Sequence, residues 1–325
     1  MPPKSPIEIG IVLYPGVQMA AVLGLTDLFG VADRLAKAKC QDQNTPLLRV
    51  SHWQAEAQDE APVRVFDTAP SAAGAPTVLI LPPALGDQLS RETAALYADW
   101  LRDNHESGIT LASVCAGALM LAEAGVLAGR TVTTHWVFGN LLQARFPDLG
   151  GVETDRLIID DGDIITAGGI MAWTDLGLKL VDRFLGPTIM IETARYLLID
   201  PPGREQRYYS VFAPRLTHGD AAVLKVQHWL QTTDARETSL AVLAAHAGLE
   251  ERTFLRRFQK ATGLTTTEYI QRLRVGKAQE LLQFSASPVD QIAWDVGYAD
   301  PGAFRKVFTR IVGLTPNEFR RRFRA

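Results

Sequence analysis

The sequence predicts two domains, an α/β domain with a parallel sheet flanked by helices and then an all-α domain. Short aliphatic runs alternate with segments of helical spacing up to about residue 200, and no strand pattern follows residue 221. A length of 325 residues suits two domains. Residues 222–325 carry 16 Lys and Arg against 10 Asp and Glu, whereas residues 1–221 carry 17 against 26. An acidic half therefore precedes a basic half, which is typical of a separate nucleic-acid-binding module.

The elements of the first half follow from two kinds of apolar pattern, continuous aliphatic runs for strands and helical spacing for helices. We place strands at Ile7–Leu13, Thr77–Leu81, Thr110–Val114 and Ile164–Thr166, and helices at Ala20–Ala36, Arg91–Asn104 and Ala116–Ala124. This alternation predicts βαβ units. The acidic run at residues 160–163 lies between two aliphatic arms, so we interpret it as a hairpin turn and predict no metal site.

The second half contains seven segments of helical spacing separated by Gly or Pro. They are Ala222–Gln231, Ser239–Ala247, Glu251–Thr262, Thr266–Phe284, Val289–Val296, Pro301–Ile311 and Pro316–Arg324. Weak periodicity with Pro214 and Gly219 marks a linker before them. We therefore expect domains at residues 1–205 and 222–325, joined by a linker at residues 206–221.

The bulk properties favour a cytoplasmic protein without a membrane segment. Two cysteines, Cys40 and Cys115, cannot form a disulfide framework. The N-terminus lacks the apolar segment of a signal peptide. The longest apolar stretch, Leu111–Leu127, contains Glu123 and is too short to cross a bilayer. No pattern in the sequence indicates a cofactor.

One pattern occurs twice in the basic half. A short amphipathic helix ends at a glycine, Gly248 in the first copy and Gly297 in the second. A second helix follows, with two Phe residues four positions apart that would seat it in a core. This is the arrangement of a helix-turn-helix unit, whose second helix enters the major groove of DNA. The candidate DNA-contacting residues on the two second helices are Arg252, Thr253, Arg256, Arg257, Gly302, Arg305 and Lys306.

The helix between the two copies has the length needed to place them on one face of DNA. Thr266–Phe284 would span roughly 28 Å at the rise of an α-helix, close to the separation of about 34 Å between successive major grooves on one face. A helical bundle with a solvated basic face is the alternative, and a scaffolding protein is another. Neither explains two matching copies in the basic half.

The second half resembles the AraC/XylS family of transcription regulators over residues 222–325. The resemblance rests on Gly297-Tyr298, on the Phe304 and Phe308 pair, and on the run at residues 313–320. It implies sequence-specific binding of double-stranded DNA and a homodimer formed through the first domain. The family more often has Phe and Ser around positions 299–302, where this chain has Ala-Asp-Pro-Gly. We expect this difference to alter which bases are read.

Cys115 in the first half has the sequence context of a nucleophile, since it follows a predicted strand and precedes a helix. A sharp turn there would expose the thiol at a helix N-terminus, which favours the thiolate. His135 lies twenty residues further on and is a possible base. The alternative is a buried apolar cysteine and a hydrogen-bonded core histidine.

These two residues resemble the elbow cysteine and histidine of the PfpI-like branch of the class I glutamine amidotransferase superfamily. The resemblance covers about residues 7–200 and includes Pro15-Gly16-Val17, the run at residues 133–136 and Gly168-Gly169. It implies a flavodoxin-like sandwich. Joined to an AraC-type domain, it gives the architecture of the GlxA-like regulators.

Two parts of the catalytic machinery that the resemblance implies are missing. Gln18 and Ala21 occupy the positions at which members carry a carboxylate near the cysteine. Pro82 and Pro83 occupy the turn whose N–H groups would bind an oxyanion, and proline has no N–H. We therefore expect a small-molecule sensor, with Cys115 as a catalytic remnant.

The predicted sensor has five candidate ligand-facing residues, namely Gln18, Cys115, His135, Met171 and Trp173. For the last two, burial in the core is the favoured alternative. The resemblance suggests a small nitrogenous effector, such as an amino acid or a quaternary amine. An active cysteine-dependent hydrolase or amidase fused to a DNA-binding domain remains the alternative function.

Overall fold

A computed structural model describes residues 6–40, 45–55, 61–86, 90–236 and 238–324. The chain divides into two compact units, Met1–Gln206 and Arg207–Ala325. The division falls at the beginning of the predicted linker, and residues 207–220 belong to the second unit.

The first unit is built on a seven-stranded sheet. The strands in chain order are β1 Ile7–Leu13, β2 Leu48–Gln54, β3 Val63–Asp67, β4 Val78–Leu81, β5 Thr110–Val114, β6 Thr131–Val132, β7 Gly151–Val152, β8 Ile158–Asp160 and β9 Ile164–Ala167. The sheet order is β3-β2-β1-β4-β5-β9-β8, and β6 pairs with β7 separately. Strands β2, β1, β4, β5 and β9 run parallel, and β3 and β8 pair antiparallel at the edges. The predicted parallel-sheet class is confirmed.

Helices cover both faces of this sheet. They are α1 Met19–Lys37, α2 Arg91–Glu106, α3 Gly117–Glu123, α4 Gly139–Arg145, α5 Trp173–Leu185 and α6 Pro187–Leu197. Because neighbouring residues of a strand point to opposite faces, Ile11 packs in a core with α1 and α5. Val12, the next residue, packs in the other core with α2 and α3. The sheet therefore fixes the N-termini of α1, α3 and α5 along its carboxyl edge.

Strand β2 was missed from the sequence because it buries a charge, and β3 because its side chains are exposed or half-buried. Arg49 on β2 is 1% exposed, and its Nη1 lies 3.0 Å from Oε2 of Glu8 on β1. Its Nε donates at 2.9 Å to Oδ1 of Asp67 on β3, and this guanidinium holds the pKa of Asp67 below its usual value. Charges are buried at tolerable cost only when paired in this way. Glu8, which interrupts the first apolar run, is thus a partner of a buried cation.

The acidic run at residues 160–163 forms the hairpin between β8 and β9, as predicted. Its carboxylates are paired with cations. Arg130 Nη1 lies 2.7 Å from Asp161 Oδ2 and 2.8 Å from Asp163 Oδ1, and Arg183 Nη2 lies 2.7 Å from Asp160 Oδ1. Nowhere in the described part of the chain do three or more His, Cys, Asp or Glu side chains gather in a way that suits a metal ion.

The second unit consists of helices. They are α7 Ala221–Thr232, α8 Leu240–Ala247, α9 Glu251–Thr262, α10 Thr266–Phe284, α11 Val289–Asp295, α12 Pro301–Val312 and α13 Pro316–Phe323. Two separate cores lie within it. Tyr269 and Ile270 of α10 pack in the core of α8 and α9, whereas Val275, Ala278 and Leu282 of α10 pack in the core of α11 and α12. One helix therefore belongs to both cores.

The turn of each helix pair contains a left-handed glycine, Gly248 with φ of 65° and Gly297 with φ of 87°. A side chain at such a position would be strained, which explains the glycine in both copies. Capping boxes, Thr265 with Glu268 and Thr315 with Glu318, begin α10 and α13. Among the described residues, every helix is too short or too polar to cross a membrane.

Candidate functional site

Helix α9 presents two arginines to solvent. Arg252 and Arg256 are exposed and form no ion pair with any described residue, and Thr253 beside them is half-buried. On the opposite face, Phe254 and Phe258 are buried in the first core with their ring centroids 5.4 Å apart. The exposed face of α9 thus leaves the Arg252 and Arg256 guanidinium groups accessible to a DNA duplex.

Arg257, which the sequence analysis grouped with these residues, points elsewhere. Its Nε and Nη2 donate to the carboxylate of Asp220 at 2.9 and 2.7 Å. Asp220 also caps α7 by accepting from the N–H of Val223. The Arg257 guanidinium is thus the partner of Asp220, which caps α7 in the same unit. The sequence hides this pairing because the two partners lie 37 positions apart.

Helix α12 offers a different surface. Lys306 is exposed, and exposed Arg305 forms an ion pair with Asp290 on α11. Asp300 caps the helix by accepting from the N–H of Gly302 at 2.8 Å. Gly302 has no side chain at the position where α9 carries Arg252. The surfaces that α9 and α12 would present to DNA therefore differ.

In the first unit, Cys115 lies in a sharp turn between β5 and α3. Its φ is 54°, in the left-handed region that is strained for a residue with a side chain. The thiol is 1% exposed, and burial raises its pKa to about 11, although the N–H groups of Ala116 and His135 partly offset this effect. The expected stabilisation of the thiolate at the helix N-terminus is therefore wrong, because desolvation outweighs it.

His135 is half-buried and contacts Cys115 through its main chain. Its Nδ1 accepts from the N–H of Val137 at 3.2 Å, and its ring stacks on Trp136 with centroids 5.6 Å apart. Burial lowers its pKa below the usual value. The neighbouring Thr134 hydroxyl donates to the Cys115 carbonyl at 2.8 Å. No hydrogen bond joins the imidazole to the thiol among the described residues.

The turn that would form an oxyanion site presents carbonyl groups instead of N–H groups. The Tyr14 hydroxyl donates to the Pro82 carbonyl, and the main-chain N–H of Gln18 donates to the Pro83 carbonyl at 2.7 Å. Gln18 is 7% exposed, yet its Oε1 has no hydrogen-bond partner among the described residues. Ala21 is fully buried in the same helix.

The remaining two candidates differ in their surroundings. Met171 is 51% exposed and is not a core residue, contrary to the favoured interpretation. Trp173 is half-buried, and a Cβ placed on Gly24 of α1 would lie 2.4 Å from its ring. The buried Nε1 of Trp173 has no partner among the described residues. Gln18 and Trp173 thus begin neighbouring helices at the carboxyl edge of the sheet, α1 and α5.

Two family profiles match this chain. The helix-turn-helix domain profile covers residues 243–322, and the DJ-1/PfpI family profile covers residues 70–183. The chain is a DNA-binding transcription regulator with an AraC-type helix-turn-helix domain and a DJ-1/PfpI domain. The resemblances that were drawn from its sequence are thereby confirmed.

Some relatives are similar to this regulator over most of its length, and others over a smaller part. It is 29% identical to the HTH-type transcriptional regulator GlxA of Rhizobium meliloti over 225 residues, which is 68% of either chain. It is 27% identical to the regulator CdhR of Pseudomonas aeruginosa over 71% of its own length and 68% of the relative. It is also 28% identical to an isonitrile hydratase of Pseudomonas putida over 55% of its length and 73% of the relative.

Several residues that shape these sites were missed from the sequence. Asp220 and Asp290 hold arginines of the recognition helices, and Tyr14 binds the proline turn. An acidic residue just before a helix is a visible signal of a cap, so Asp220 was detectable as a cap. Its second role, as the partner of Arg257, depends on tertiary packing.

Proposed function

We propose that the DJ-1/PfpI domain of this regulator is a small-molecule sensor without catalytic turnover, and that its ligand controls DNA binding. The observation that carries the proposal is the surroundings of Cys115. The residue is 1% exposed, and no hydrogen bond joins its thiol to the His135 imidazole among the described residues. Burial also raises the pKa of the thiol, which disfavours the nucleophilic thiolate. Gln18 and Ala21, at the carboxylate positions, cannot exchange its proton.

The effector that we propose combines a hydrogen-bond donor with an acceptor. Gln18 Oε1 is a buried acceptor and Trp173 Nε1 a buried donor, and neither has a partner among the described residues. Buried polar groups usually bind something. An N–H of the effector would satisfy Gln18, and a carboxylate would satisfy Trp173. An amino acid offers both an N–H and a carboxylate, whereas a quaternary amine has no N–H for Gln18 Oε1.

A cysteine-dependent hydrolase or amidase is the second candidate. Two observations favour it, the strained turn at Cys115 and the similarity to an isonitrile hydratase over 73% of that enzyme. Strained backbone often occurs at functional positions. The enzyme would need the thiolate, which burial disfavours.

We expect the purified protein to hydrolyse no amide or ester and to hydrate no isonitrile above background. Cys115→Ser should leave DNA affinity unchanged, because Cys115 belongs to the first unit and the candidate DNA-contacting residues belong to the second. Turnover is measured with the wild type and Cys115→Ser side by side. Activity that disappears in Cys115→Ser would establish the enzyme instead.

The sensor is tested by thermal shift with a panel of amino acids and their amine and carboxylate analogues. A ligand at about 100 times its Kd should add roughly 2.7 kcal/mol to stability. Gln18→Leu should abolish this shift, while the exposed control Gln231→Leu should keep it. A shift that survives Gln18→Leu would place the ligand elsewhere.

We propose that Arg252 and Arg256 read bases, with Arg305 and Lys306 contributing from α12. Alanine at Arg252 or Arg256 should cost about 1–3 kcal/mol in specific binding and relax the preference at one position. Arg257→Ala serves as the matched control on the same helix, because its guanidinium holds Asp220. Selection from random DNA checks this. Equal loss of preference in Arg257→Ala would mean that α9 is docked differently.

We also propose that the regulator forms a homodimer through its first unit. Exposed apolar side chains lie near the carboxyl edge of the sheet, namely Met19, Leu23, Leu85, Val137, Ile170 and Met171. Large exposed apolar patches mark association surfaces, and we propose that these side chains form such a patch. Leu23→Glu with Met171→Glu should give a monomer in sedimentation equilibrium, and the control Leu198→Glu, on an exposed helix end, should not. A dimer unaffected by the double substitution would place the interface elsewhere.

A further inference from the structure

The last residue of the first unit, Gln206, is held by a full set of hydrogen bonds. It is 3% exposed. Its Nε2 donates to Thr133 Oγ1 at 3.0 Å, to the Thr134 carbonyl at 2.9 Å and to the Arg156 carbonyl at 3.0 Å. Its Oε1 accepts from the N–H of Trp136 at 3.1 Å. One side chain thus fixes the loop at residues 133–136, called here the elbow loop.

The elbow loop is also the segment that contacts Cys115. Thr134 Oγ1 donates to the Cys115 carbonyl at 2.8 Å. A Cβ built on Gly168 would lie 1.9 Å from Gln206 Nε2, so only glycine leaves room for this amide. Gln206 therefore holds the loop in place beside the thiol.

The residues that follow Gln206 belong to the DNA-binding unit. We call residues 207–212 the strap. A Cβ on Gly313, between α12 and α13, would lie 2.5 Å from Arg207 Nε, so the strap rests on this turn. The ring of Tyr209 meets Phe323 of α13 edge-on at 5.4 Å. The Ser210 carbonyl accepts from Gln279 Nε2 of α10 at 3.3 Å. Residues 207–210 of the strap thus rest on α10, on α13 and on the turn before α13, whereas Phe212 packs against Tyr269 in the first core.

We infer that Gln206 is a positioning residue. When a ligand displaces the elbow loop, Gln206 transmits this displacement to the strap. The inference rests on the proposed sensor. His135 is the candidate ligand-facing residue of the elbow loop. A ligand that contacts His135 and displaces this loop removes the partners of the Gln206 amide, and a buried amide without partners is costly. Gln206 then leaves its site, and the strap loses its fixed end. Conversely, DNA that holds the second unit still holds Gln206 in place, because coupling between two sites is reciprocal.

The reactivity of Cys115 reports the position of the elbow loop without requiring the effector. The full chain with exposed Cys40→Ser is treated with methyl methanethiosulfonate at about pH 8.5, with and without a duplex selected from random DNA. Mass spectrometry gives the rate at which Cys115 is modified. DNA should slow this modification at least about fivefold, the lower end of typical coupling.

Two variants break the proposed route by different means. Gln206→Met keeps the shape and removes the hydrogen bonds, and a Gly-Gly-Ser insertion between Gln206 and Arg207 keeps every contact and removes the tether. In both, DNA should no longer alter the modification rate. Gln227→Met is the matched control, since Gln227 is also a buried amide, bonded to the Arg215 carbonyl and Tyr269 within the second unit. It should keep the wild-type effect.

A DNA effect that persists in either route variant shows that coupling bypasses Gln206 and overturns the inference. No DNA effect in the wild type overturns it as well, while the sensor proposal is still decided by the thermal shifts. Loss of the effect in Gln227→Met would mean that any buried amide acts alike, which also contradicts a specific role for Gln206.

Discussion

A fragment of residues 207–325 is expected to bind duplex DNA with an affinity that falls about 10³- to 10⁵-fold between roughly 50 and 200 mM salt, the range for six to ten phosphate contacts. Residues 207–325 carry 18 Lys and Arg against 11 Asp and Glu. Arg252, Arg256 and Lys306 are exposed and unpaired among the described residues. Fluorescence anisotropy over a salt series measures the slope.

The starting residue of this fragment matters. A fragment from residue 222, as the predicted domain limits suggest, lacks Asp220, which caps α7 and pairs with Arg257. It also lacks Phe212, whose ring meets Tyr269 edge-on at 5.3 Å in the first core. Loss of the cap alone costs about 1 kcal/mol. Circular dichroism shows whether the fragment from residue 207 is folded. If the folded fragment binds DNA without salt dependence, its positive charge does not contact the phosphates, contrary to the prediction.

Local patterns predicted the parts of the fold that depend on periodicity. The bounds of α9 and α10 match the sequence analysis, because apolar spacing, glycine ends and a capping box act within a few residues. Strand β2 was missed because it buries Arg49, which pairs with Glu8 and Asp67, and β3 because its side chains are exposed or half-buried. These residues lie far apart in sequence, and no pattern marks a buried charge as paired.

In the candidate site, too, local sequence predicted some features, while others depend on tertiary packing. The position of Cys115 in a strand-to-helix turn followed from the sequence. Its protonation state did not, because desolvation depends on the residues packed around the thiol. Arg257 likewise has the spacing of a DNA-facing residue, and its pairing with Asp220 arises from tertiary structure. Sequence spacing therefore identifies a helix face better than it identifies the partner of a side chain.

The second large effect is expected from the spacing of the DNA site. Two determinants should lie about 10–10.5 bp apart, one for α9 and one for α12. Inserting half a turn, about 5 bp, places one determinant on the opposite face of the duplex. Specific affinity should then fall at least about 10³-fold, to the non-specific level. Competition binding with the full chain measures this ratio.

A full-turn insertion separates a rigid connector from a flexible one. It restores the face but adds about 34 Å, more than the roughly 28 Å spanned by the 19 residues of α10. The connector cannot stretch, because Ile270 is packed in the first core and Leu282 in the second. We therefore expect no recovery of affinity. Gly276→Ala, where the added Cβ meets open space, should stabilise α10 by about 0.5–1 kcal/mol and leave this discrimination unchanged. Recovery with the full-turn insertion would show that α10 unpacks from one core and does not fix the distance between the two recognition helices.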